Sequence, residues 1–102
     1  MIEVKVKRQP KLEIEISGHA YSGEPGHDLV CAAVSAIVFG SLNAFDAYQS
    51  NVTSDTLRDG YVHSRFNHVD ETLSIMFNMM MSLLKSVEIA HPNYIKIYNK
   101  EV

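Results

Sequence analysis

Residues 2–6, "IEVKV", alternate between apolar and charged side chains, with Ile2, Val4 and Val6 on one face and Glu3 and Lys5 on the other. Side chains switch faces at every residue of a strand, so the pattern predicts a strand with one side buried. Arg8-Gln9-Pro10 interrupts it, and "LEIEI" at 12–16 repeats it with Leu12, Ile14 and Ile16 inward, which predicts a hairpin. From Asp28 to about Gln49 the spacing changes to that of a helix, with Val30, Val34, Ile37, Val38, Leu42 and Phe45 on one side and Asp28 as its N-cap. "NVTSDTLRDGYVHSRF" at 51–66 reads as two short strands around the turn dipeptide Asp59-Gly60. A second helix begins near Val69-Asp70, where acidic groups suit the positive end of the helix dipole, and stops before Pro92. "YIKIY" at 94–98 is the last strand.

The predicted order is β-β-α-β-β-α-β. That implies an α+β fold in which two helices pack on a mainly antiparallel sheet. The second helix carries more apolar surface than one contact needs. Leu73, Phe77, Met80, Leu84 and Val87 form a stripe, and Ile75, Met76, Met79 and Leu83 widen it to most of the circumference. The first helix covering the extra surface would make it plain core. A second copy of the chain covering it would make a homodimer, the expectation preferred here, because exposed patches of that size are rare on monomers. A flexible peptide groove is the third option, since methionine adapts to irregular surfaces.

The chain has 102 residues, 46% of them apolar, which fits a single domain with a packed core. A formal net charge of −3 argues against a general nucleic-acid binder. The charged, alternating N-terminus has the character of neither a signal nor a transit peptide. No uninterrupted apolar run reaches the ~20 residues needed to span a bilayer, so no membrane association is expected. One cysteine cannot form an internal disulfide, and the expected compartment is the cytoplasm.

That cysteine, Cys31, falls in the first turn of the helix capped by Asp28. Free backbone amides and the positive dipole end stabilise a thiolate there, and the same amides are candidates to hold an oxyanion. His19 closes the second strand, and the loop from Ala20 to His27 must bring the chain back to the helix start. An imidazole can therefore lie beside the thiol, as nucleophilic catalysis requires. His27 precedes the helix, so helical spacing does not place it. Asp28 can cap the helix or orient an imidazole, with the same oxygens serving both roles. Ser35 lies one turn beyond Cys31 on the same face. Glycines flank Glu24-Pro25 and suit the loop to hinging over a bound peptide. On these signals alone a small buried cysteine and an ordinary strand-end histidine remain open. A metal site of His19, His27, Cys31 and Asp28 lacks the paired spacing that would make it specific. His63, His68 and His91 are scattered and receive no role.

"GHA" at 18–20 followed by "GHDLVCAAVSAIVFGSLNA" at 26–44 resembles the signature of the ribosomal-processing cysteine proteases, the Prp family. That pattern is Gly-His-Ala, a variable loop, then Gly-x-Asp-(Ile/Leu)-Val-Cys-Ala-Ala-Val-Ser, and every position of it is present. The resemblance extends from the opening strand to the closing one. It implies a small homodimeric bacterial enzyme that removes the N-terminal extension of the large-subunit ribosomal protein L-twenty-seven. By motif position it implies Cys31 as nucleophile and His19 as its histidine, with Gly18, Asp28 and Ser35 as supporting residues and 21–27 as a segment that moves over the substrate. His27 occupies a variable position and inherits no role. No cofactor or metal is implied. A non-catalytic module that binds a ribosomal protein through the same loop and helix start is the alternative reading.

Overall fold

The computed structural model describes residues 1–20 and 28–100. Five strands form one sheet: β1 (Ile2–Lys7), β2 (Glu13–Ser17), β3 (Thr53–Arg58), β4 (Tyr61–Phe66) and β5 (Ile95–Lys100), in the spatial order β3-β4-β2-β1-β5. Two helices, α1 (Leu29–Tyr48) and α2 (Glu71–Ala90), fill the predicted places between them. The α+β order holds throughout.

The register explains which residues became core. Val4 faces Ile16 and Val6 faces Ile14 across the β1–β2 pair. Ile2 faces Ile95 and Val4 faces Ile97 across the β1–β5 pair. Ile2, Val4, Val6, Ile14, Ile16 and Ile95 are all buried, and they make the face on which the helices lie. Burying one such side chain fully is worth about 1.5–3 kcal/mol. The other face keeps the charges: His63 reaches Glu13 at 2.9 Å, and the Tyr61 hydroxyl donates to Glu15 at 2.9 Å.

The sheet is mainly antiparallel as expected: three pairings are antiparallel, and β1–β5 is parallel. The cause is the crossovers. Parallel strands cannot be joined by a tight turn and need a connection that returns the chain to the starting end. β4 runs antiparallel to β2 and hence parallel to β1, so α2 carries the chain back and β5 starts again in the same direction. Helix α1 does the same between β2 and β3. As a result the end of β2, the start of α1 and the β3–β4 turn all lie at one end of the sheet.

The cap expected at Asp28 forms, and Asp70, expected as an acid suited to the helix dipole, also caps its helix. Asp28 Oδ1 accepts from the Cys31 amide at 3.0 Å, and Asp70 Oδ1 accepts from the Leu73 amide at 2.8 Å. Tyr48, at the end of α1, donates its hydroxyl to Asp70 Oδ2 at 2.7 Å. The Leu73 amide first, and then the Tyr48 hydroxyl, hold the Asp70 carboxyl below its usual value. This stabilisation is present above the ordinary carboxylate pKa and is lost as pH falls through the lowered one. At the other end of α2, Glu88 accepts from the Ile97 amide of edge strand β5 at 2.7 Å and from Lys85 at 2.6 Å. Burial opposes ionisation of Glu88, but Lys85 and the Ile97 amide outweigh it, and its pKa is lowered.

Three rings join the layers. Phe66 of β4 meets Phe45 of α1 edge-on with centroids 5.1 Å apart, and Phe77 of α2 at 5.7 Å. Beside this cluster Ser64 is fully buried, and its hydroxyl has no partner among the described residues. A desolvated, unpaired hydroxyl costs about 1–3 kcal/mol. Ser64→Ala is therefore expected to leave stability unchanged or raise it by about 1 kcal/mol in urea unfolding. A clear loss would mean that the hydroxyl is bonded.

The wide apolar face of α2 is not plain core. Leu73, Phe77, Met80 and Leu84 are buried, but Ile75 is 63% exposed and Met79 64% exposed, so α1 does not cover them. The expectation from uninterrupted runs also changes. Each 20-residue helix is long and apolar enough to cross a bilayer by length and composition alone. In this fold each instead places one side on the sheet: Val30, Val34, Val38 and Phe45 from α1, and the stripe from α2.

Candidate active site

The site is built at the end of the sheet where β2 stops and α1 begins. Gly18, just after β2, takes a φ of +95°, and a side chain there would run into the Met1 carbonyl oxygen. Only glycine fits both conditions. Its amide donates to the Gly60 carbonyl at 2.9 Å, which ties the end of β2 to the β3–β4 turn. His19 follows, half-buried, and then Ala20, 4% exposed and part of the core.

From the other side comes α1. Asp28 fixes its first turn, which brings the half-buried Cys31 to face the end of β2. The Ala20 amide donates to Cys31 Sγ at 3.3 Å. Ala20 is peptide-bonded to His19, so the sulfur and the imidazole-bearing residue are brought together although Ala20 and Cys31 are eleven positions apart in the chain. His19, Cys31 and Ser35 line one open cleft of about 240 Å³, and Ile2, Val34 and Val38 supply apolar wall. This lies below the roughly 300–1,000 Å³ usual for small-molecule sites and suits side chains of an extended peptide laid across it.

Of the residues expected at the site, Cys31, His19, Ser35 and Gly18 meet there. Asp28 is at hand as the cap. Its Oδ1 holds the Cys31 amide at 3.0 Å, and its carbonyl accepts from the Ala32 amide, also at 3.0 Å. Of the first-turn amides expected to receive an oxyanion, that of Cys31 is engaged by the Asp28 side chain, and the next amide along, Ala32, makes the first backbone bond of the helix. His27 and the hinge assigned to 21–27 lie outside the described residues.

The pattern of the sequence did not point to the far wall. Arg58, Asp59, Gly60 and Tyr61 of the β3–β4 turn face the helix start across the cleft, with Phe39 at its rim. The Arg58 guanidinium stacks over the Tyr61 ring at 4.4 Å. Gly60 has a φ of +66°, and a Cβ added there would lie 2.7 Å from His19 Nε2. Asp59-Gly60 was legible as a turn. Its closeness to His19 depends on the crossover that returns β4 beside β2.

A thiol and an imidazole in one peptide-sized cleft are the equipment of a cysteine hydrolase. Residues 1–96 match the family model described as cysteine protease Prp, and the chain belongs to that family of cysteine proteases. A ribosomal processing cysteine protease Prp from Mycoplasma genitalium is 32% identical over 82 residues, covering 78% of this chain and 80% of that one. The Staphylococcus aureus ribosomal processing protease Prp, solved with a covalently linked product peptide, superposes with a TM-score of 0.89 at 30% identity over 98% of this chain and all of the other. The same protein with a substrate peptide gives 0.81 at 30% identity, again over 98% and 100%.

Proposed function

We propose that this protein removes the N-terminal extension of the large-subunit ribosomal protein L-twenty-seven, with Cys31 as nucleophile and His19 as acid and base. The observation that carries the roles is the shared cleft, where the sulfur is bonded to the amide next to His19. The imidazole takes the thiol proton, and sulfur attacks the scissile carbonyl. The tetrahedral adduct collapses as the C–N bond breaks, with the proton passing to the leaving amine. Water then attacks the thioester, gives its proton to His19, and releases the acid and the thiol. The apolar wall suits hydrophobic residues before the cut. The peptides bound to the Staphylococcus aureus relative support a peptide substrate here.

The test is to incubate the protein with the extended ribosomal protein and weigh the product by mass spectrometry. Shortening at one bond near the N-terminus is expected. Binding without shortening would favour the non-catalytic module and end the protease reading.

Gly60 adds a second prediction. Gly60→Ala puts a methyl against the imidazole, and a displacement of about 1 Å lowers turnover about 10²-fold. Gly60→Asn tolerates the positive φ but keeps the clash. Asparagine is therefore expected to recover melting temperature relative to alanine without recovering kcat. Full activity in the asparagine variant would separate Gly60 from the histidine.

We also propose a cytoplasmic homodimer. Ala36, Gly40 and Ala44 of α1 and Met76, Met79 and Leu83 of α2 line an open apolar groove that a second copy can fill. Light scattering is expected to give twice the 11.5 kDa chain mass at micromolar concentration, and a monomer there would remove the dimer.

A further inference from the structure

We infer that the backbone N–H of Ala20 is a catalytic hydrogen-bond donor of this protease, resting on the Cys31 sulfur and transferring to the carbonyl oxygen of the substrate as that oxygen becomes an anion. The inference rests on the protease reading above and adds to it the group that holds the oxyanion.

Three observations lead to it. The donor of the cysteine itself is committed elsewhere, because the Cys31 amide bonds to Asp28 Oδ1 at 3.0 Å, and the next amide, Ala32, bonds to the Asp28 carbonyl at 3.0 Å. The sulfur accepts from the opposite side of the cleft, where the Ala20 amide donates to it at 3.3 Å. That amide is also held rigidly. The Ala20 side chain is 4% exposed within the core, and two residues earlier Gly18 bonds to Gly60 and packs on Met1. A donor fixed in this way needs no reorganisation during the reaction, the condition under which such donors are most effective.

The charge path follows from connectivity. In the resting site the N–H points at the atom that carries negative charge once His19 has taken the proton. When sulfur bonds to the scissile carbon, its charge moves to the carbonyl oxygen, two bonds from sulfur. A donor aimed at sulfur is thus aimed at the neighbourhood where the new anion forms. No proton leaves Ala20, and the hydrogen bond follows the charge from sulfur to oxygen and back on collapse.

The chain's only cysteine permits a clean test. Residues 1–30 can be made as a synthetic thioester and ligated to 31–102 through Cys31, with Ala20 replaced by lactic acid so that one N–H becomes an ester oxygen. An all-amide chain made the same way is the reference. Removing a single oxyanion donor is expected to lower kcat about 10²–10³-fold with KM little changed. A substrate-derived peptide aldehyde, whose hemithioacetal carries the same oxygen, should lose affinity by a similar factor, while the uncleaved product peptide binds as before. An ester chain that melts normally and cleaves within about threefold of the reference overturns the inference. An all-amide reference that does not cleave overturns the protease reading, and this inference with it. Should the ester chain not fold, unaltered protein labelled with nitrogen-15 alanine decides: aldehyde addition must move the Ala20 amide proton downfield more than any other alanine amide, and an unmoved Ala20 signal rejects the role.

Discussion

Replacing Cys31 by alanine is expected to abolish cleavage, a fall beyond about 10⁴-fold in kcat/KM, while leaving the melting temperature nearly unchanged. The sulfur is half-buried at the edge of the core and its deletion leaves a small gap beside solvent, so packing loses little. Chemistry loses the only atom able to form the covalent intermediate. His19→Ala removes proton transfer and is expected to cost about 10²–10⁴-fold. The two act as one unit, so the double variant should be no slower than Cys31→Ala alone. Mass spectrometry of the ribosomal protein over a long incubation reads all three variants. Cleavage by Cys31→Ala at the rate of the unaltered protein would reject the mechanism outright.

The largest effect on stability is expected at Phe66. Its ring touches Phe45 of α1 and Phe77 of α2 and is itself only 2% exposed. It is the point where sheet and both helices meet. Phe66→Ala is expected to lower the free energy of unfolding by about 3–5 kcal/mol in urea. For a domain whose total stability is about 5–15 kcal/mol, this threatens folding at elevated temperature. A loss below about 1.5 kcal/mol would mean that the helices close over the gap.

The elements were legible because local rules govern them. Alternation in "IEVKV" and "LEIEI" marked two half-buried strands, and the structure shifts only the ends, to Lys7 and to Glu13–Ser17. Asp28 marked its helix start because an unpaired first turn needs an acceptor three residues back, and Asp70 marked the other as an acid at the positive end of the helix dipole. The last strand runs to Lys100 rather than Tyr98, since its ladder with β1 continues where hydrophobic alternation stops. Strand β3 was hardest to read: from Ser54 to Arg58 it is exposed, and an edge strand with no buried face has little pattern to show.

The motif around Gly18-His19-Ala20 and Cys31, together with the order of the elements, was determined by the sequence alone, because caps, alternation and motif spacing are contacts between near neighbours. Only the tertiary structure decided that β5 lies parallel to β1, that the exposed side of α2 stays uncovered by α1, and that Gly60 stands against the His19 ring. It also decided which amide reaches the sulfur. Each of these depends on where a crossover returns the chain, and a crossover is set by the burial of a whole layer rather than by any residue along it.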